Sequence, residues 1–177
     1  MAAIQPAPAS GTIGGMDIRR ALPADLPAVS DIYGREAREG HATFDVEPRP
    51  MALWEEKLAA SGPGEHFLVA EHEGEVIGHA GATSYRPKPA YRHTRESWVY
   101  VAPGHQGLGT GRALYDALLT LLADDDVHLV VAGVALPNDA SLALHRAVGF
   151  EEVGTMREVG RKFDRWIDLV WLQKVLA

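Results

Sequence analysis

The sequence predicts an α/β domain built on one central sheet of mixed, mostly antiparallel strands flanked by helices. Three observations carry that expectation. Apolar residues switch between the two-residue period of strands and the 3.6-residue period of helices, in the order β, α, α, antiparallel strands, βαβ, then αβ and β. A β-branched and aromatic run at residues 98–101 (WVYV) breaks at Pro103-Gly104 and enters a helix through a glycine-rich turn. Leu129–Ala135 (LVVAGVA) is apolar throughout, the mark of a central strand lying parallel to a neighbour.

Each element follows from local signals. Residues 17–21 read as a first strand. Asp25 is placed to cap the next helix, and Pro27 is tolerated in its first turn. Leu26, Val29, Ile32, Tyr33 and Ala37 share one helical face, and Gly40 ends it. Residues 41–45 (HATFD) form a loop carrying Phe44. Pro50 opens a second helix with Leu53, Trp54 and Leu58, stopped at Ser61-Gly62-Pro63-Gly64. Residues 67–71 and 76–84 read as strands joined at Glu73-Gly74, a hairpin signal. Residues 86–94 (RPKPAYRHT) form a proline-rich basic loop, and a strand follows over residues 96–101. The helix over residues 111–123 carries Leu114, Ala117, Leu118 and Leu121 and ends in Asp124-Asp125-Asp126. Asn138-Asp139 cap a helix over residues 140–148, ended by Gly149. Residues 150–156 and 166–174 read as two closing strands, with no repeat and no internal linker.

Composition narrows the function. At 177 residues the chain holds one domain with a real core. A net charge of -7 argues against nucleic acid as the main partner. There is no cysteine, which excludes disulfides, thiol nucleophiles and Cys-ligated zinc. The eight His are scattered, with no HExxH pattern, so no metal is expected. No apolar run approaches the roughly 18 residues that span a bilayer. Residues 1–15 (MAAIQPAPASGTIGG) lack the basic-then-apolar order of a signal peptide and are rich in Ala, Pro, Gly and Ser. They are expected to be a disordered extension, with the folded domain over residues 16–177, Met16 as an alternative start, and a cytoplasmic location by default.

The glycine turn points to an anion. Backbone N–H groups at a helix N-terminus are unpaired and the dipole there favours negative charge. Gly107, Gly109 and Gly111 let the backbone approach a phosphate and adopt positive φ where needed. A P-loop requires Lys-Ser or Lys-Thr after the glycines, and none follows. A GxGxxG fingerprint fails because its third glycine falls on Arg112 or Leu114. The pattern that fits is Q-x-x-G-x-G at Gln106, Gly109 and Gly111.

That turn resembles the pyrophosphate-binding turn of the GNAT superfamily of acyl-CoA N-acyltransferases. The element order also resembles that fold, from Met16 to Leu176. The pieces HATFD, YRPKPAYRHTRES, VYVAPGHQGLGTG, GVALPNDASLALHRAVGF and REVGRKFDRWIDLVWLQ are similar to the phosphinothricin/methionine sulfoximine N-acetyltransferase family. The resemblance implies acetyl-CoA as co-substrate. Its pantetheine arm would pair with the backbone of Val99, Tyr100 and Val101, with an N–H near Val101 facing the thioester oxygen. Its pyrophosphate would lie on Gln106, Gly107, Leu108, Gly109, Thr110, Gly111 and Arg112, and Asn138 matches a cofactor-contacting position.

The resemblance makes Glu96 the base candidate, where the sheet opens beside the cofactor strand. It gives His145 a catalytic or base-assisting role and Tyr115 that of general acid toward the leaving sulfur. The acceptor, a small amino acid or toxic analogue, would lie against Phe44 and the basic loop. Arg86 and Lys88 come first there and Tyr91 and His93 second, since guanidinium and ammonium groups suit carboxylate or phosphinate oxygens. The resemblance also implies a homodimer, with Phe163 and Trp166 packing across the interface or else into the core. Two other readings stand beside this one: acetylation of a protein N-terminus or lysine, and a non-catalytic acyl-CoA-binding sensor.

Overall fold

In a computed structural model, which describes residues 11–13 and 15–176, the chain forms one eight-stranded sheet with two helices on each face. In chain order the elements are β1 (Gly11–Ile13), β2 (Met16–Arg20), α1 (Leu26–Glu39), α2 (Met51–Ala59), β3 (Phe67–His72), β4 (Glu75–Ser84), β5 (Thr94–Val101), α3 (Thr110–Asp124), β6 (Leu129–Ala135), α4 (Asp139–Ala147), β7 (Glu151–Lys162) and β8 (Arg165–Val175). The spatial order is β1-β2-β3-β4-β5-β6-β8-β7. Every neighbouring pair is antiparallel except β5 and β6.

Two apolar clusters hold the layers. Leu114, Leu118 and Leu122 of α3 pack with Val130, Ala132 and Leu172 on one face. Val29 and Tyr33 of α1 and Trp54 of α2 pack with Phe67 and Val69 on the other. The Glu73-Gly74 hairpin forms as expected, with both residues at positive φ (51° and 83°), as a two-residue turn between twisted strands requires.

The structure corrects two expectations about the N-terminal part. Gly11–Ile13, within the extension expected to be disordered, pairs with β2 as a strand; residues 1–10 and 14 lie outside the described residues. Asp25 does not cap α1. A one-turn 3-10 helix at Pro23–Asp25 precedes that helix, and the Asp25 carboxylate is engaged by Arg19 at 2.7 Å and by the Leu22 N–H. An Arg partner satisfies the carboxylate better than a lone N–H does. The closing strands are also longer than expected, and β7 is exposed along most of its length. Among the described residues no helix is long and apolar enough to cross a membrane.

Candidate active site

The sheet forks at Glu96. β5 pairs with β4 through Val101, but with β6 only at Thr94↔Leu129, Arg95↔Val130 and Glu96↔Val131. Beyond that last pair β5 has an open edge. The Ala102 N–H donates to Ile77 O on the β4 side at 2.8 Å. Strand alternation therefore turns the backbone groups of Val101 and Val99 toward the opening and those of Tyr100 toward β4. Of the three residues expected to offer backbone to an extended ligand, Val99 and Val101 do so and Tyr100 does not. The Tyr100 ring instead packs against His79 and Tyr33, and burial pushes its phenol up to about 12.

The open edge runs into the glycine turn. Gly104, Gly107 and Gly109 all have positive φ (87°, 74° and 87°), a conformation that a Cβ would strain. The first α3 bond runs from the Ala113 N–H to Gly109 O, so the N–H groups of Thr110, Gly111 and Arg112 lack intrahelical acceptors. Gln106, Leu108 and Arg112 are exposed, and Arg112 pairs with Asp116 one turn on. The Thr110 hydroxyl faces inward, onto His105 O and Met16 Sδ, and leaves only its N–H for a ligand. Gly111 is helical; a Cβ there would lie 2.9 Å from the Leu144 side chain, so it serves packing against α4. Asn138 Oδ1 accepts from the Ser141 N–H at 3.1 Å, which makes it the cap of α4.

At the fork, consecutive residues diverge to opposite faces. Glu96 projects toward the α1/α2 face and is half-buried. Burial raises the affinity of its carboxyl for a proton, and the nearby Arg86 and Lys57 charges partly offset that. Ser97 projects toward α3, where its Oγ lies 3.3 Å from the Tyr115 hydroxyl. Tyr115 has no exposed surface, and its hydroxyl lies 2.8 Å from His145 Nε2. His145 Nδ1 lies 2.7 Å from Ser141 O, an obligate acceptor. The neutral ring therefore carries its proton on Nδ1 and accepts the Tyr115 O–H at Nε2. Burial holds His145 below its usual range. The Tyr115 hydroxyl is thus held by His145 Nε2 on one side, with Ser97 Oγ at 3.3 Å on the other.

The acceptor loop is only partly assembled. The Arg86 guanidinium lies 4.9 Å from the Tyr85 ring centre, and Tyr91 packs edge-on against Tyr85 at 5.5 Å. Lys88 is exposed on the same loop. His93 turns away: its Nδ1 is 3.0 Å from Asp126 O and it also meets the Asp126 carboxylate, which ties it to the turn after α3. Phe44 is partly exposed and packs over Gly160, where a Cβ would come within 2.7 Å of the ring. Lys162, buried beneath, holds this loop by donating to Thr43 O at 3.0 Å and Glu36 O at 3.2 Å. Phe163 and Trp166 are 55% and 60% exposed, so neither is a core residue.

Comparison with known proteins bears on this geometry. Residues 26–150 match the model of the acetyltransferase (GNAT) family. This chain belongs to the GNAT family. It is 41% identical over 168 residues to the phosphinothricin N-acetyltransferase of Streptomyces coelicolor, covering 91% of this chain and 96% of that one. It is 37% identical to the L-methionine sulfoximine/L-methionine sulfone acetyltransferase of Salmonella typhimurium, over 89% of this chain and 93% of that one. A crystal structure of a GNAT superfamily phosphinothricin acetyltransferase from Sinorhizobium meliloti, in complex with acetyl-CoA, superposes with a TM-score of 0.88. It is 33% identical, over 92% of this chain and 89% of that chain.

Within this GNAT domain the fold also places residues that the sequence reading did not single out. Lys57 of α2 holds its ammonium 3.9 Å from the Trp98 ring centre, and Arg49 lies 2.6 Å from Asp45. Both line a cavity of about 280 Å³ on the Glu96 face. Lys57 falls three residues after the buried Trp54, so helical spacing alone could have placed it toward the sheet. Ser97 carried no signal beyond its place beside Glu96.

Proposed function

We propose that this chain moves the acetyl group of acetyl-CoA onto the amino group of a small amino acid or toxic analogue, of the phosphinothricin or methionine sulfoximine/sulfone kind. Transfer occurs by direct attack in a ternary complex. The observation that carries this reading is the fork: an open β5 edge that leads into a turn of left-handed glycines, with a half-buried carboxylate at the last paired residue.

The residues present fit acetyl-CoA. Val99 and Val101 offer an unpaired strand edge to a pantetheine amide, and the free N–H groups at the start of α3 suit a pyrophosphate. When bound, this co-substrate supplies the thioester carbonyl that a neutral amine attacks. The Val101 N–H stands on the open edge as donor to the thioester oxygen; one such donor is worth about 2.7–4 kcal/mol of barrier. Glu96 takes the proton that the amine loses as the C–N bond forms and the C–S bond breaks. That demand is real: the α-amine of a free amino acid, next to its own carboxylate, is more basic than a peptide N-terminus and is almost wholly protonated at pH 7, so it must lose a proton before it can attack. On the opposite face Tyr115 is the general acid that protonates the leaving thiolate, and His145 is the partner that orients its hydroxyl. Arg86 and Lys88 draw the acceptor's anionic group, with Phe44 and Tyr91 shaping the entrance.

A homodimer and a cytoplasmic location complete the reading. Val153 and Met156 on β7, Phe163 in the turn that follows and Trp166 on β8 are exposed apolar side chains along the edge of the sheet. An exposed edge hairpin that carries such side chains is a place where a second copy of the chain can pack. The test is steady-state kinetics with both substrates varied. Intersecting reciprocal plots are expected of a ternary complex; parallel plots would mean an acetylated enzyme and overturn direct attack.

A further inference from the structure

The cavity of about 280 Å³ on the Glu96 face holds a cation without a counter-ion. Lys57 lines it from α2, with its ammonium over the Trp98 ring. Among the described residues no carboxylate forms an ion pair with that ammonium, and Glu65 and Glu96 act on it only across space. The other charged groups of the lining are committed elsewhere. Arg49 is paired with Asp45. Glu65 accepts from the Ser84 N–H and hydroxyl at 3.1 and 2.7 Å. His66 Nε2 lies against the Asp125 carboxylate. Glu56, beside Lys57 on the helix, is exposed and solvated.

A half-buried ammonium with no partner is costly, and burial loosens its proton. The indole face offsets part of that cost by cation–π attraction. The indole is itself fixed: it lies over Gly81, its register partner on β4, where a Cβ would run into the ring. Trp98 follows Glu96 by two residues, so the two share a face roughly 7 Å apart along β5. Thr83, the Glu96 partner on β4, lines the same cavity. The unpaired cation therefore stands beside the base.

An α-amino acid carries its amine and its carboxylate on one carbon. With the amine at Glu96, the carboxylate comes to rest within a few ångströms of it. Arg86 and Lys57 are the cations whose charge reaches Glu96. Arg86 is exposed on its loop and screened by water, which suits steering an anion. Lys57 is half-buried on a helix and screened less, which suits holding one.

We infer that Lys57, seated on Trp98, binds the α-carboxylate of the acceptor and so restricts the reaction to amines that carry a carboxylate on the amine-bearing carbon. The inference rests on the acetyl-transfer reading above and deepens it. It leaves Arg86 and Lys88 to meet a second polar or anionic group farther along the acceptor.

The test measures kcat/KM for methionine sulfone and for its α-carboxamide at saturating acetyl-CoA, in the wild-type chain, Lys57→Met, Lys57→Arg and Arg86→Met. Acid and amide differ in amine basicity, but equally for every variant. Any effect of Lys57 on Glu96 falls on both acceptors. The change in the acid-to-amide ratio removes both contributions. Loss of fold would lower both acceptors together and cannot produce such a change. Lys57→Met is expected to lower the ratio at least about tenfold, the loss of one charge-assisted hydrogen bond. Lys57→Arg keeps a charge that can stack on the indole and is expected to retain most of the ratio. Arg86→Met is expected to move it less than Lys57→Met does. A ratio that Lys57→Met leaves unmoved overturns this inference alone, and so does a larger change in Arg86→Met. An absence of thiol release with every amino acid tried overturns the acetyl-transfer reading as well.

Discussion

The Tyr115 hydroxyl lies 2.8 Å from His145 Nε2, and the Ser141 carbonyl holds the other ring nitrogen at 2.7 Å. The two bonds lock one neutral tautomer of a buried imidazole. Tyr115→Phe leaves Nε2 without its donor, and an unsatisfied buried acceptor costs about 1–3 kcal/mol. Denaturant unfolding should show that loss. The same variant should lower kcat while leaving KM for the amine near its original value. Unchanged stability would mean that the bond is not formed in solution.

Glu96 gains proton affinity from burial and loses some of it to Arg86 and Lys57. As a base it works only when deprotonated, so the acid limb of the rate profile should lie above the ordinary carboxylate range. Removing a cation removes an opposing effect: Lys57→Met should move that limb to higher pH. Glu96→Gln should lower turnover most near neutral pH and least at high pH, where the amine is already neutral. Parallel profiles for wild type and Glu96→Gln would remove Glu96 from the role of base.

Much of this site was legible in the sequence because it depends on local chemistry. Glycines at positions 107 and 109 require the turn, and strand and cap signals put Glu96 on β5 and Asn138 at the start of α4. What local signals cannot give is which way a side chain faces once layers pack. Tyr115 follows the helical spacing of α3, but only the packed α3–α4 interface shows its hydroxyl turned to His145. His93 sits in a basic loop, and only the closed fold brings Asp126 to it. Lys57 and Trp171 belong to elements distant in sequence, so their approach to the Glu96 face required the sheet order.

His79 is fully buried on β4 among Trp54, Phe67 and Tyr100, and burial pushes its pKa down to about 3. The unfolded reference is about 6.5. Above that value both states hold the ring neutral, and this contribution to stability is fully present. As pH falls from 6.5 toward 3 the unfolded chain binds a proton that the folded chain refuses, so stability drops by up to about 1.4 kcal/mol per pH unit. His79→Phe should flatten the acid side of the stability profile. An unchanged profile would assign acid sensitivity to other groups.

Trp166→Glu places a charge in the exposed apolar surface of β8. Sedimentation velocity should show a dimer for the wild type and a monomer for the variant, with far-ultraviolet circular dichroism unchanged. A wild-type monomer would overturn the interface assigned to this edge.

The most direct test of acetyl transfer is thiol release from acetyl-CoA across a panel of amines: methionine sulfoximine, methionine sulfone, phosphinothricin, the common amino acids, polyamines and a lysine peptide. Turnover is expected with amino acids that have a free α-amine, and to be absent with polyamines and the peptide. Tight acetyl-CoA binding with no turnover, or turnover confined to the peptide, would contradict the account.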